Sequence, residues 1–255
     1  MAKRTPLGER LDELNQRITN AAAKARRDPS EITLIAVTKT AAPEQVREIL
    51  QLGVTDLGES RVQVLVQRAA QLNEFLQRRG AMGDAAPPVK VRWHMIGSLQ
   101  RNKAKPVLPL VHMIHSVDSL RLAEELDTAG LKINRRTPVL LQINASEESS
   151  KHGVAVGAAV HLAEQMDSMP NIQIVGVMTI GPQDGDEKQI RHAFTRTREL
   201  FEEIKWHKIG GTAFRHLSMG MSHDFELAIA EGATLLRIGS ALFGGKPAEG
   251  EDFLE

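Results

Sequence analysis

Leu235-Leu236-Arg237-Ile238-Gly239-Ser240 reads as a short strand that opens into a turn of small residues. Alternation along a strand puts Arg237 and Gly239 on one side and Leu236 and Ile238 on the other. It is the last of eight such units. Strands are expected at 33–38, 55–57, 89–96, 113–116, 138–143, 172–179, 215–219 and 234–238. Helical segments fall between them, at 43–52, 61–78, 102–108, 118–129, 156–168, 187–205 and 224–231. Pro43 stands in a first helical turn, and Gly53, Pro170 and Gly232 stand where helices stop. A further helix over 7–27, with Leu11, Leu14 and Ile18 at helical spacing, precedes the first strand. Strands alternating with helices imply parallel βαβ units. Eight of them in one chain predict the α/β class, as a single closed (β/α)8 barrel of the TIM type with an extra N-terminal helix. The whole of 1–255 is then one domain. No G-x-G-x-x-G follows the first strand, which argues against a dinucleotide-binding sheet. The Gly/Pro/Ala-rich stretch at 80–88 reads as an insertion before the third strand.

Basic and acidic side chains balance at 32 each, so no nucleic-acid partner is expected. The absence of cysteine excludes disulfides, thiolate zinc sites and cysteine nucleophiles. No apolar run approaches the roughly 20 residues of a membrane span. Met1 to Pro6 carries basic residues with no apolar stretch behind them, so no secretory signal is expected and the protein reads as cytoplasmic. Nine histidines without cysteine or an H-E-x-x-H pair give no metal-site spacing. His94, His115 and His216 read as hydrogen-bonded core residues. The acidic tail at 249–255 reads as frayed.

In a barrel of this type the active site lies at the carboxyl ends of the strands, and phosphate commonly binds after strands seven and eight. Here those positions carry Ser218-Met219-Gly220 and Gly239-Ser240. An arginine in an apolar strand is costly to bury without an anion or acceptor. A plain structural alternative for Arg237 is an ion pair with a carboxylate such as Glu59. Lys39 ends strand one and shares the mouth; in a partly desolvated pocket its amine becomes a nucleophile towards an aldehyde. A phosphate site, an inward arginine and an amine together point to pyridoxal 5'-phosphate held as a Schiff base.

The chain resembles the pyridoxal-phosphate homeostasis protein family, also called the proline synthetase co-transcribed homologue family. The matching stretches are Ile35 to Thr40, Gly58 to Gln63, Trp93 to Lys103, His115 to Asp118, Ser150 to Gly153, Leu217 to Ser222 and Leu236 to Gly244. They run in order along nearly the whole chain. The family is related in fold to the N-terminal barrel of alanine racemase. The resemblance implies that Lys39 carries the Schiff base, that Arg237 faces the pyridine nitrogen, and that Ser218, Gly239 and Ser240 hold the phosphate. Ser60 stands where the family usually has asparagine, so an amide contact is shortened or passed to water. Ser240 often has threonine as its counterpart, which keeps the hydroxyl.

Pyridoxal phosphate stabilises a carbanion best when its ring nitrogen is protonated, usually opposite a carboxylate, and an arginine cannot accept that proton because it stays charged itself. The related racemase supplies a tyrosine as the opposite base, and this chain has no tyrosine. The expected function is therefore cofactor binding in vitamin B6 homeostasis with little or no catalysis, by a monomer that serves client pyridoxal-phosphate enzymes. The alternative is an amino-acid racemase or decarboxylase using Lys39 with His94 or His216. A role through a protein partner rests only on the loop Lys151-His152-Gly153, which reads more simply as solvated.

Overall fold

The computed structural model describes residues 5–81, 90–146, 148, 152–182 and 184–244. Most of the 80–88 insertion, Lys151 and the acidic tail lie outside the described residues. Among the described residues, nine parallel strands run β1 (Thr33–Val37), β2 (Asp56–Glu59), β3 (Arg92–Met95), β4 (Val111–Val117), β5 (Thr137–Asn144), β6 (Val154–Ala155), β7 (Ile172–Thr179), β8 (His216–Ser218) and β9 (Leu235–Ile238). The hydrogen-bonded order β4-β3-β2-β1-β9-β8-β7-β5, together with β4 pairing β5, closes eight of them into a ring. The expected (β/α)8 barrel is the observed fold. The two-residue β6 is an unforeseen addition that pairs β5 alone.

Closure sorts each strand by its alternation. Ile35, Met113, Leu140, Val175, Met178 and Leu235 form a small apolar cluster inside the ring. Ala36, Leu57, Trp93, Ile114, Leu236 and Ile238 belong to the larger cluster formed with the helices outside. The second strand takes in Gly58 and Glu59, beyond the expected 55–57, because Gly58 pairs His94 and Glu59 pairs Met95. The expected helix at 102–108 is shorter. A 3₁₀ turn (Arg101–Lys103) leads into the single turn α4 (Ala104–Val107), which contains Pro106.

The remaining long helices are α1 (Pro6–Lys24), α2 (Pro43–Gln51), α3 (Val62–Ala81), α5 (Leu120–Lys132), α6 (Ala159–Asp167) and α7 (Glu187–Trp206); α8 (Phe225–Ala230) and α9 (Ser240–Phe243) are short. Thr5 caps α1 by accepting from the Gly8 N–H at 3.1 Å, and Pro6 fits its first turn. The helix stops at Lys24, short of the expected 27, because Arg26 adopts a left-handed conformation. Among the described residues, β9 is followed only by the one-turn α9, which leaves a gap in the outer ring beside α8. The buried stripe Leu7, Leu11, Leu14 and Ile18 places α1 in that gap, against α2, α8 and α9. Arg10 Nε donates to the Leu242 carbonyl at 2.5 Å, and Arg27 Nη1 donates to the carbonyls of Ile229 and Ala233 at 3.0 and 2.8 Å. The extra N-terminal helix is thus the missing eighth wall.

This role predicts that α1 does not behave as a frayed terminus. Leu14→Ala should destabilise by about 3 kcal/mol, as for a buried core leucine, lowering Tm by about 6–12 °C. A melting temperature within a degree of wild type in calorimetry would mean that α1 is dispensable.

Candidate functional site

Strands β2, β1, β9 and β8 are consecutive neighbours in the ring. Each contributes candidate site residues at its carboxyl end or immediately after it. Lys39 follows β1 and is half-buried, Ser60 follows β2, Ser218 ends β8, and Gly239 and Ser240 follow Arg237 on β9. Ile35 is paired with Arg237 in register, so both face the interior, and alternation along β1 puts Val37 on that face as well; Lys39 stands in the turn just beyond. A Cβ at Gly239 would stand 3.3–3.4 Å from Val37, the tight spacing of two backbones at the barrel mouth. Ser60 is held by a closer approach. A Cβ at Gly97 would fall 2.2 Å from the Ser60 carbonyl oxygen, so only glycine fits there.

Arg237 is buried inside the ring, 4% exposed. Its Nη1 donates to Ser218 Oγ at 2.7 Å and its Nη2 donates to the Thr179 carbonyl at 2.9 Å. Both partners are neutral. Burial pulls the guanidinium down to about 10, partly countered by the carboxylate of Asp224, and the group stays cationic at neutral pH. The expected alternative partner is elsewhere. Glu59 lies on the outer face, accepts from Thr38 Oγ1 at 2.5 Å and pairs with Arg68 on α3 at 3.0 Å. Burial raises Glu59 above the usual carboxylate range, against the pull of Thr38 and Arg68. Arg237 is therefore no ordinary ion pair. It is a cation with two of its five N–H donors committed to neutral acceptors.

Ser218 sits deeper than its place in the sequence implied. Its side chain is fully buried, with its oxygen between Arg237 and His115 Nδ1, 3.0 Å away. The residue beside the mouth is Ser222. Gly220, at φ +94°, turns the chain after β8, and the Arg237 N–H donates to its carbonyl at 3.0 Å. The following segment crosses to the start of α9, where the Ala241 N–H donates to Ser222 Oγ at 3.2 Å. Ser222 lies in a stretch that matched the family, yet nothing local distinguishes it from Ser218. Only the turn at Gly220 separates their directions.

Below the mouth, the histidines form an arrangement invisible in the sequence. Asp56 Oδ1 lies 3.0 Å from His94 Nε2, and His94 Nδ1 lies 2.9 Å from His115 Nε2, which completes the line to Ser218. Arg92 grips Asp56 with two donors, through Nε at 2.7 Å and through Nη2. Burial works against the Asp56 charge, but the hydrogen bonds from Arg92 and His94 prevail and hold it at about 2. Burial, then the charges of His94 and Arg237, keep His115 well below the usual histidine range. His94 and His115 are indeed hydrogen-bonded core residues. His216 is not: its Nδ1 is buried without a hydrogen-bond partner among the described residues. His152 stands exposed, 3.9 Å from Asp118. Among the described residues no group of three or more His, Asp or Glu side chains is placed to hold a metal ion. No helix among them is long and apolar enough to cross a membrane.

Residues 10–247 match the family model of the alanine racemase N-terminal domain. The chain is 39% identical to the pyridoxal phosphate homeostasis protein of Aquifex aeolicus, over 92% of this chain and 96% of that one. It is 37% identical to the protein of that name in Pseudomonas aeruginosa, over 94% and 96%. The chain belongs to the pyridoxal phosphate homeostasis protein family. Among solved structures, PipY of Synechococcus elongatus with pyridoxal phosphate bound is 32% identical, with a TM-score of 0.74 over 89% of this chain and all of that one. Alanine racemase of Clostridium difficile shares only the fold, at 14% identity and a TM-score of 0.66 over 93% of this chain and 57% of that enzyme. The family relation and the barrel agree with the sequence reading; the individual site residues rest on the geometry above.

The buried histidines predict an acid-sensitive fold. Burial, followed by the charge of Arg215, lowers His216 from 6.5 to about 4. The unfolded chain then binds its proton at a higher pH than the folded one, so stability falls as the pH drops from 6.5 towards 4. His216→Phe should lose less stability over that window than wild type. Denaturant titrations at a series of pH values give the comparison, and equal slopes would remove His216 from the account.

Proposed function

We propose that this chain binds pyridoxal 5'-phosphate, with Lys39 condensing with its aldehyde, and serves vitamin B6 homeostasis with little or no catalysis. The observation that carries this reading is the convergence of an amine, a buried guanidinium and a hydroxyl-rich turn on four adjacent strand ends. The donor set suits the group. Lys39 offers the amine, Arg237 a permanent cation for the ring nitrogen, and Ser222, Gly239 and Ser240 hydroxyl and N–H donors for phosphate oxygens. Ser218 then acts one step back, holding Arg237. Ser60 lines the remaining side, pressed into place by Gly97.

When bound, the cofactor supplies a reactive aldehyde and an electron-withdrawing ring. A cation beside the ring nitrogen disfavours its protonation, and Arg237 keeps its own proton at neutral pH, so that withdrawal stays weak. His94, a candidate base for a racemase, is occupied by Asp56 and His115. These points support storage or delivery of the cofactor over turnover. The accompanying reading is a cytoplasmic monomer that serves client enzymes; among the described residues the exposed large apolar side chains are few, Trp206 and Leu131 foremost.

The test is the visible absorption of protein mixed with pyridoxal phosphate, before and after borohydride. A band trapped as a covalent adduct in wild type and not in Lys39→Ala is the expected result. No band, or the same adduct in the variant, would remove Lys39 from the site. Ser222→Ala should weaken cofactor binding about tenfold or more, for loss of a hydrogen bond to a charged group. Deuterium appearing at Cα of added amino acids at enzymatic rates would replace this reading with the racemase one.

A further inference from the structure

The turn that carries Lys39 is held from outside the barrel. Thr38 and Ala41 are its first and last residues, closed by the Ala41 N–H donating to the Thr38 carbonyl at 2.9 Å, and Lys39 and Thr40 lie between them. Both end residues are buried. The Thr38 N–H donates to the Gly58 carbonyl at 3.0 Å, which ties the turn to β2. The Thr38 hydroxyl donates to Glu59 Oε1 at 2.5 Å. Arg68 of α3 completes the frame with two parts of its guanidinium. Its Nε lies 3.0 Å from the same Glu59 oxygen, and its Nη2 donates to the Ala41 carbonyl at 2.8 Å. One carboxylate–guanidinium pair thus grips the turn at both ends.

The pair is more than α3 needs to stay in place. Val62, Leu65, Ala69 and Leu72 already bury that helix in the outer core. A buried ion pair is weak support for a fold, because lost hydration offsets most of the attraction. Here the arrangement also leaves Glu59 Oε2 buried with no hydrogen-bond partner among the described residues, which is unfavourable for stability alone. What the pair does fix is the backbone on either side of Lys39.

We propose that Glu59 and Arg68 are positioning residues for Lys39, setting the Thr38–Ala41 turn so that the amine meets an aldehyde at the barrel mouth. The proposal rests on the cofactor reading of Lys39. Glu59 on the outer face and Arg68 on α3 act through the backbone and not on the ligand. The condensation joins the Lys39 nitrogen to the aldehyde carbon and releases the aldehyde oxygen as water, both hydrogens coming from the amine. A lysine stem is flexible, so a fixed turn confines the search of its amine to the side chain alone. Misplacement of a reacting group by about 1 Å can slow such a step about a hundredfold.

Three variants and two compounds test this. Thr38→Val removes the hydroxyl at nearly constant shape, Thr38→Ser restores it, and Arg68→Lys keeps the charge without the planar fork of donors. Pyridoxine 5'-phosphate has the same ring and phosphate with a hydroxymethyl group in place of the aldehyde, so it reads the rest of the site without condensation. Its affinity should stay within about twofold of wild type in all three variants. The rate at which pyridoxal phosphate becomes a borohydride-stable adduct on Lys39 should fall about tenfold in Thr38→Val and Arg68→Lys, the worth of one hydrogen bond to a charged group, and recover in Thr38→Ser. In protein with neither compound, the Ala41 amide hydrogen should exchange about tenfold faster in the two impaired variants and at the wild-type rate in Thr38→Ser. An unchanged adduct rate overturns the proposal. Parallel loss of pyridoxine phosphate binding and adduct formation also overturns it, since the pair would then be structural. A wild type that forms no adduct defeats the cofactor reading and the positioning role with it. A wild type that forms the adduct beside unimpaired variants defeats the positioning role alone.

Discussion

A guanidinium sealed inside a parallel barrel is the constraint around which this protein is arranged. Removing a cation from water is unfavourable by several kcal/mol unless oriented dipoles replace the lost hydration. Here the replacements are the Ser218 hydroxyl and the Thr179 carbonyl, from the two strands beyond β9. The carboxylate that acts on it, Asp224, is itself buried, raised by that burial, and occupied by the Met221 N–H. Arg237 is thus held in place by neutral partners with its positive charge undischarged. That leaves attraction to spare for an anionic or lone-pair-bearing ligand at the mouth.

Holding Ser218 requires its own support, and this draws polar groups into a space that barrels usually fill with branched apolar side chains. The interior still contains Ile35, Met113, Leu140 and Leu235. The route from Ser218 to Asp56 instead passes through two imidazoles. A polar network of this kind is tolerable only when each member is satisfied. Ser218, His115, His94 and Asp56 meet that condition end to end. His216 does not: its Nδ1 is buried without a hydrogen-bond partner among the described residues.

The barrel wall shows the same economy. Among the described residues, α1 packs against α2, α8 and α9, while α9 is a single turn. A short α9 keeps Gly239, Ser240 and Ala241 close to the Ser222 loop. A full-length helix after β9 would compete with α1 for the same groove.

Most of the architecture was legible from residue order. Short apolar runs such as 172–179, glycine and proline at the ends of helices, and the eightfold recurrence define a parallel barrel, because these are local consequences of backbone sterics and side-chain burial. Lys39, Arg237 and the Gly239-Ser240 turn were readable for a similar reason. A cation in an apolar strand and small residues at a strand end are unusual where they stand. The short α4 was not, since Pro106 left open how much of 102–108 would coil. Nor could the sequence say which of Ser218 and Ser222 reaches the mouth, because that depends on the turn at Gly220. It could not join Asp56, His94, His115 and Ser218 either. They are 38, 21 and 103 residues apart along the chain, and only closure of the ring brings them within 3.0 Å of one another. Local propensity operates over a few residues, whereas hydrogen bonds across a barrel are decided by register and curvature. Sequence alone determined the barrel and which residues stand at its strand ends; tertiary structure decided what stands beneath Arg237 and how it is held there.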